Sequence, residues 1–156
     1  MAGRISVEPE VILRDLLGLD PALTLERYWG ERSVFYNPGR VAPLGMIVAS
    51  IKDHDGANDR SARLSREGVY RFAFCLGRER YAERFGEPPR RPPKGGVVAL
   101  PDYDPTRLNE LMPHPVYAWM RWVQILAPTR SEFGSLRPLV VESLELVQAR
   151  WRRRQS

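Results

Sequence analysis

The sequence predicts an α+β fold, with a central antiparallel sheet of about five strands and the N- and C-terminal helices packed on one face. Three observations predict it. Residues 46–51 and 69–75 are the most β-prone runs in the chain, rich in Ile, Val, Tyr and Phe. Near the C-terminus Leu136, Val140, Leu144, Val147 and Trp151 recur at helical spacing. The strand-like runs are clustered between helical segments rather than alternating with them, which argues against a parallel doubly wound sheet.

Residues 8–17 read as the first helix. Pro9 suits the first turn, Glu8 and Glu10 complement the positive helix end, and Ile12, Leu13, Leu16 and Leu17 share one face before Gly18. Two short strands follow at 25–29 and 33–36, around a Gly30-Glu31 turn. On the strand at 46–51 both faces are largely apolar, as suits a central strand. Over 69–76, Tyr70, Phe72, Phe74 and Leu76 take the core face, and Arg71 projects from the other, toward solvent or a groove. Residues 77–85 form a short helix burying Tyr81 and Phe85, with Gly86 as its stop. A proline-stiffened surface loop occupies 87–96. A short strand is predicted at 97–100, and a helix from Asp104-Pro105 to about Met112. Residues 117–126 read as one long strand with Trp119 and Trp122 on opposite faces. Thr129 and Glu132 form a capping box that opens a short turn, and the main helix is expected from near Ser135. Arg150, Arg152, Arg153 and Arg154 crowd its last turn and complement the negative helix end.

The length of 156 residues fits one domain. The single cysteine, Cys75, excludes an internal disulfide and any four-cysteine zinc site, and its apolar strand predicts an inert buried thiol. No apolar run reaches the ~20 residues of a membrane helix. The leading residues lack the apolar core of a signal peptide, so a cytoplasmic location and no membrane partner are expected. The net charge of +5 is carried almost wholly by arginine, since Lys52 and Lys94 are the only lysines. Such a surface has a salt-sensitive affinity for polyanions.

The loop at 52–61 is the densest cluster of ionisable side chains: Lys52, Asp53, His54, Asp55, Asp59 and Arg60. It fails the calcium-loop pattern, because Ala57 and Leu64 stand where ligands are required, so no metal is expected. Aspartates in a strand-connecting loop more often bond backbone N–H groups. His114 lies between Pro113 and Pro115, which fix its backbone; it is a candidate structural group, ligand contact or general base. Neither a Gly-x-Ser-x-Gly nor a nucleotide-binding glycine motif is present, so no cofactor is expected. Candidates for nucleic-acid contact are Arg60, Arg63, Arg66, Arg90, Arg91, Lys94, Arg152, Arg153 and Arg154.

Four stretches together carry a likeness to a known family: Phe-Tyr-Asn-Pro-Gly at 35–39, the loop with its flanks at 51–61, Gly-Val-Tyr-Arg-Phe at 68–72, and the His-Pro-Val-Tyr-Ala-Trp segment within 112–123. They resemble the bacterial domain-of-unknown-function-6194 family, with His54 and Arg63 as departures in an otherwise matching loop. More distantly, 122–126 and 142–147 look like the end of the MmcQ/YjbR-like proteins. That likeness implies a frataxin-like α+β fold, and such proteins are often described as DNA-binding. Neither resemblance implies catalytic residues.

The leading functional expectation is a non-catalytic module that binds a ligand or a protein, as monomer or homodimer. Its expected surface combines Asn37, Lys52, Asp53, His54, Asp55, Asp59, Arg60, Arg63, Arg71 and His114. The alternatives are a basic DNA-binding protein, and a small enzyme pairing His114 with Asp55 or Asp59.

Overall fold

A computed structural model of the chain describes residues 5–155. Residues 1–4, which belong to the leading segment in the signal-peptide reading, and residue 156 lie outside the described residues. The elements are α1 (Pro9–Leu17), β1 (Leu23–Tyr28), β2 (Glu31–Tyr36), β3 (Met46–Lys52), β4 (Arg71–Cys75), α2 (Arg78–Phe85), β5 (Met112–Pro113), β6 (Trp122–Leu126) and α3 (Arg130–Gln155). The strands form one open antiparallel sheet of six in the order β1-β2-β3-β4-β6-β5. The α+β architecture is as predicted, with six strands rather than about five.

One sheet face makes the main core. Ala49 and Ile51 on β3 sit beside Phe74 and Phe72 on β4, which in turn sit beside Val123 and Ile125 on β6. Ile12, Leu13 and Leu16 of α1 and Leu136, Val140, Leu144 and Val147 of α3 join the same buried cluster. Burying one such side chain contributes roughly 1.5–3 kcal/mol, so this layer dominates the stability of the fold. Both terminal helices thus follow from their apolar stripes. The Thr129 hydroxyl accepts the Glu132 N–H at 3.2 Å, so the capping box opens α3 itself rather than a separate turn. Pro138, which would fall in the first turn of a helix starting at Ser135, therefore lies in the helix interior. Trp151, near the end of α3, meets Tyr36 edge-on.

Four further expectations are corrected. Residues 97–100 form no strand; Val98 is buried and its N–H bonds the Pro115 carbonyl. No helix follows Asp104-Pro105. Asp104 instead accepts the Thr106 N–H and hydroxyl in a local turn, and the Asn109 N–H goes to Leu126 at the end of β6. The predicted strand at 117–126 is a 3-10 turn at Ala118–Met120 and then β6. Arg121 at φ 67° reverses the chain between them, so the alternation from Tyr117 to Trp119 is not a sheet pattern. The turn between β1 and β2 also falls one residue earlier than expected, at Trp29-Gly30, where both residues have positive φ (54° and 76°).

Candidate functional site

The second sheet face carries the chemistry. Period-two alternation puts Glu31 and Ser33 of β2, Ser50 and Lys52 of β3, Arg71 of β4 and Gln124 of β6 opposite the main core. Segments without regular structure cover part of this face. Arg71, expected at solvent or a groove, is instead 1% exposed. Lys52, Asp59, His114 and Gln124 are buried with it.

Asp59 organises this polar layer. Lys52 Nζ donates to its Oδ2 at 2.9 Å, and Arg71 donates to both carboxylate oxygens, at 3.0 Å to Oδ1. Arg71 also reaches Gln124, whose amide donates to the Pro105 carbonyl at 3.2 Å. Burial works against the Asp59 carboxylate. The hydrogen bonds and charge of Arg71, with Lys52, outweigh it and hold the group well below the usual carboxylate range. Removing one partner of such a buried pair typically costs about 3–5 kcal/mol, because the other charge is left bare.

His114 Nδ1 accepts the N–H groups of Val116 at 3.0 Å and Tyr117 at 3.2 Å. A nitrogen that accepts carries no proton, so the neutral ring holds its proton on Nε2. Burial first, and then the charges of Arg71 and Lys52, push His114 well below its ordinary pKa against the pull of Asp59. No hydrogen bond joins His114 to Asp55 or Asp59 among the described residues. Asp55 accepts the Leu64 N–H at 2.8 Å, and the Asp59 oxygens are held by Lys52 and Arg71. The geometry therefore supplies no histidine–aspartate dyad.

The remaining candidates do not form one surface. Asn37 ties both ends of its amide to the Ala42 backbone, beside β2's last residue, Tyr36, which pairs with Met46 at the start of β3; the charged loop leaves the other end of β3. Asp53 and His54 are exposed and hydrogen-bond each other at 3.1 Å. Arg60 and Arg63 are exposed, and Arg66 donates to the carbonyls of Ala62, Arg63 and Thr106, which makes it a loop staple. Arg91 stacks over the Trp119 ring at 4.6 Å, while Arg90 and Lys94 point outward from the proline loop. Arg152, Arg153 and Arg154 lie on the exposed end of α3. No three His, Cys, Asp or Glu side chains among the described residues are placed to hold a metal ion. Burial pushes the Cys75 thiol up, and its Sγ contacts the Leu76 and Met120 carbonyls.

Beside the polar layer the sheet face is left partly uncovered, and a pocket of about 370 Å³ opens there. Ser33, Ile47 and Ser50 floor it; Tyr28, Trp29, Tyr117, Met120 and Trp122 wall it; Glu31 and His114 supply its ionisable groups. The Ser50 hydroxyl donates to Glu31 Oε1 at 2.8 Å. Tyr117 meets the His114 ring at a tilt, with centroids 5.0 Å apart, and burial and then the Glu31 charge raise its hydroxyl pKa. Of this set, the sequence reading found only His114. One available signal was the Trp29-Gly30 hairpin tip, which displays a large ring where a turn residue is expected. The other was the pairing of Ser33 with Ser50, two small polar residues side by side on neighbouring strands.

An open antiparallel sheet with helices on one face and an aromatic-walled pocket on the other defines a small α+β protein. No helix among the described residues is long and apolar enough to cross a membrane. The chain belongs to the family described as Family of unknown function (DUF6194), whose model matches residues 7–156. No curated protein and no solved structure matches it, so the more distant likeness to MmcQ/YjbR-like proteins is not shown.

Proposed function

We propose that the chain is a non-catalytic module that binds a small ligand in the aromatic pocket of the second sheet face. The pocket's lining carries this reading: its volume of about 370 Å³ and mostly apolar walls with a few polar groups match the usual anatomy of small-molecule sites. The strained display of Trp29 supports it. Trp29 is 81% exposed and sits at φ 54°, a backbone region that bulky residues seldom occupy. Residues held in such conformations cluster at functional sites. A non-catalytic role is supported by the engagement of His114 Nδ1 with two backbone donors.

Amide chemical-shift mapping with a library of small aromatic fragments tests the proposal. Binding fragments are expected to shift residues 28–33, 50 and 114–122. Shifts confined to the charged loop at 53–63 would reject the pocket. The variant Trp29→Asn sharpens the test, because Asn-Gly is the preferred pair for this turn type. It is expected to fold at least as stably as the parent while losing most fragment affinity.

A further inference from the structure

We infer that the pocket selects a small organic cation, an ammonium group carried on an apolar body. The inference rests on the pocket being the ligand site and adds the charge of what enters it.

Glu31 is the one formally charged residue in the lining, and the His114 ring beside it in that lining is neutral. A carboxylate accepts hydrogen bonds only. Its Oε1 accepts a hydrogen bond from the Ser50 hydroxyl at 2.8 Å, and among the described residues no hydrogen bond is made to Oε2. Because that hydroxyl donates to Glu31, what it has left to offer a ligand is lone pairs. Glu31 and Ser50, unlike the His114 ring with its Nε2–H, therefore ask for a donor. A primary ammonium brings three.

The walls make the same demand. Tyr28, Trp29, Tyr117 and Trp122 present aromatic rings around the opening. The faces of such rings attract cations by about 0.5–2 kcal/mol each, most when solvent is displaced. Aromatic walls closed by one carboxylate are the arrangement expected for binding a cation in a chain whose net charge of +5 would otherwise repel it.

The opposing charge lies beside the pocket, on the same sheet face. Lys52 and Arg71 share the single carboxylate of Asp59, so that buried trio keeps one positive charge in excess. Neither Lys52 nor Arg71 lines the pocket, whereas Glu31 does. Direct contact decides the sign, since an ion pair at contact outweighs a charge that lies outside the lining.

The experiment is a calorimetric titration of the full chain with three matched probes: 2-phenylethylammonium, neutral 2-phenylethanol and anionic phenylacetate. The ammonium is expected to bind at least tenfold more tightly than the alcohol, and phenylacetate more weakly than either. Glu31→Gln keeps an oxygen for the Ser50 hydroxyl and removes the charge. In that variant the ammonium should lose about tenfold in affinity while the alcohol stays within twofold of the parent. Equal or tighter binding of phenylacetate, or an unchanged ammonium affinity in Glu31→Gln, overturns the cation assignment. Binding of the alcohol that disappears in Trp29→Asn leaves the pocket standing even then. Failure of all three probes to bind overturns both readings.

Discussion

At the scale of single residues, the distinctive choice is a histidine kept neutral inside a polar layer. His114 is buried, its Nδ1 is filled by two backbone N–H groups, and its folded-state pKa lies well below the ordinary value. In the unfolded chain the ring titrates near 6.5. As pH falls below that value the unfolded state takes up a proton that the folded state refuses. The His114 contribution is therefore complete above pH ~6.5 and is lost on acidification, with a limiting slope of about 1.4 kcal/mol per pH unit. His114→Asn retains a side-chain oxygen that can accept the same two N–H groups and removes the titration. Urea midpoints measured from pH 7.5 to 5 are expected to fall steeply for the parent and distinctly less for this variant. Parallel curves would mean that His114 is protonated in the native state. Asp59 makes the contrasting choice: it stays charged because two cations converge on it. The sequence placed both residues among the candidates by type, since prolines flank one and the charged loop holds the other. It could not say that backbone donors and buried cations would use up their reactive atoms.

At the scale of elements, legibility followed periodicity. The segments with a sustained alternation or a helical stripe, β3, β4, α1 and α3, were readable because each must bury one face. Residues 97–121 were not. There prolines at 101, 105, 113 and 115 interrupt every period, and tertiary contacts such as Val98 N–H to Pro115 and His114 N–H to Trp122 decide the path. The pocket shared that obscurity, since two of its walls, Tyr117 and Met120, come from this segment. Helix α3 carries a local conflict of its own. Pro138 lies in its interior, so one N–H is missing from the ladder that would otherwise bond the Gly134 carbonyl. Gly134 is exposed, and a Cβ placed on it meets open space. Its cost is then the helix propensity of glycine, about 0.5–1 kcal/mol relative to alanine. Gly134→Ala is expected to raise the thermal midpoint by a few degrees without altering fragment binding. A lower midpoint would show that the turn before Pro138 needs glycine's freedom to accommodate the ring.

At the scale of the whole molecule, the sheet separates two layers built on different physics. On one side α1 and α3 seal an apolar cluster running from Ile12 to Val147. On the other, irregular segments are pinned by few, mostly polar contacts: Arg66 to the Thr106 carbonyl, Gln124 to Pro105, and Asn109 Oδ1 accepting the Thr129 N–H at 2.8 Å. The satellite apolar cluster there, Ala62, Leu64, Val69 and Leu126, is small. Local opening is least costly where few apolar contacts and many solvent-facing backbone groups coincide. Hydrogen exchange is accordingly expected to label residues 87–111 first and to reach β3, β4 and β6 only by global unfolding. The pocket is lined by Tyr117 and Met120 together with the floor strands, so a ligand bound as proposed would require the irregular layer to be docked. Saturation with 2-phenylethylammonium should therefore slow exchange at 112–122 by the linkage relation between ligand concentration and affinity. It should leave the amides of α1 and of residues 139–147 as they were, wherever those exchange by local opening. Uniform protection across both layers would instead mean that the two sides of the sheet open as one cooperative unit.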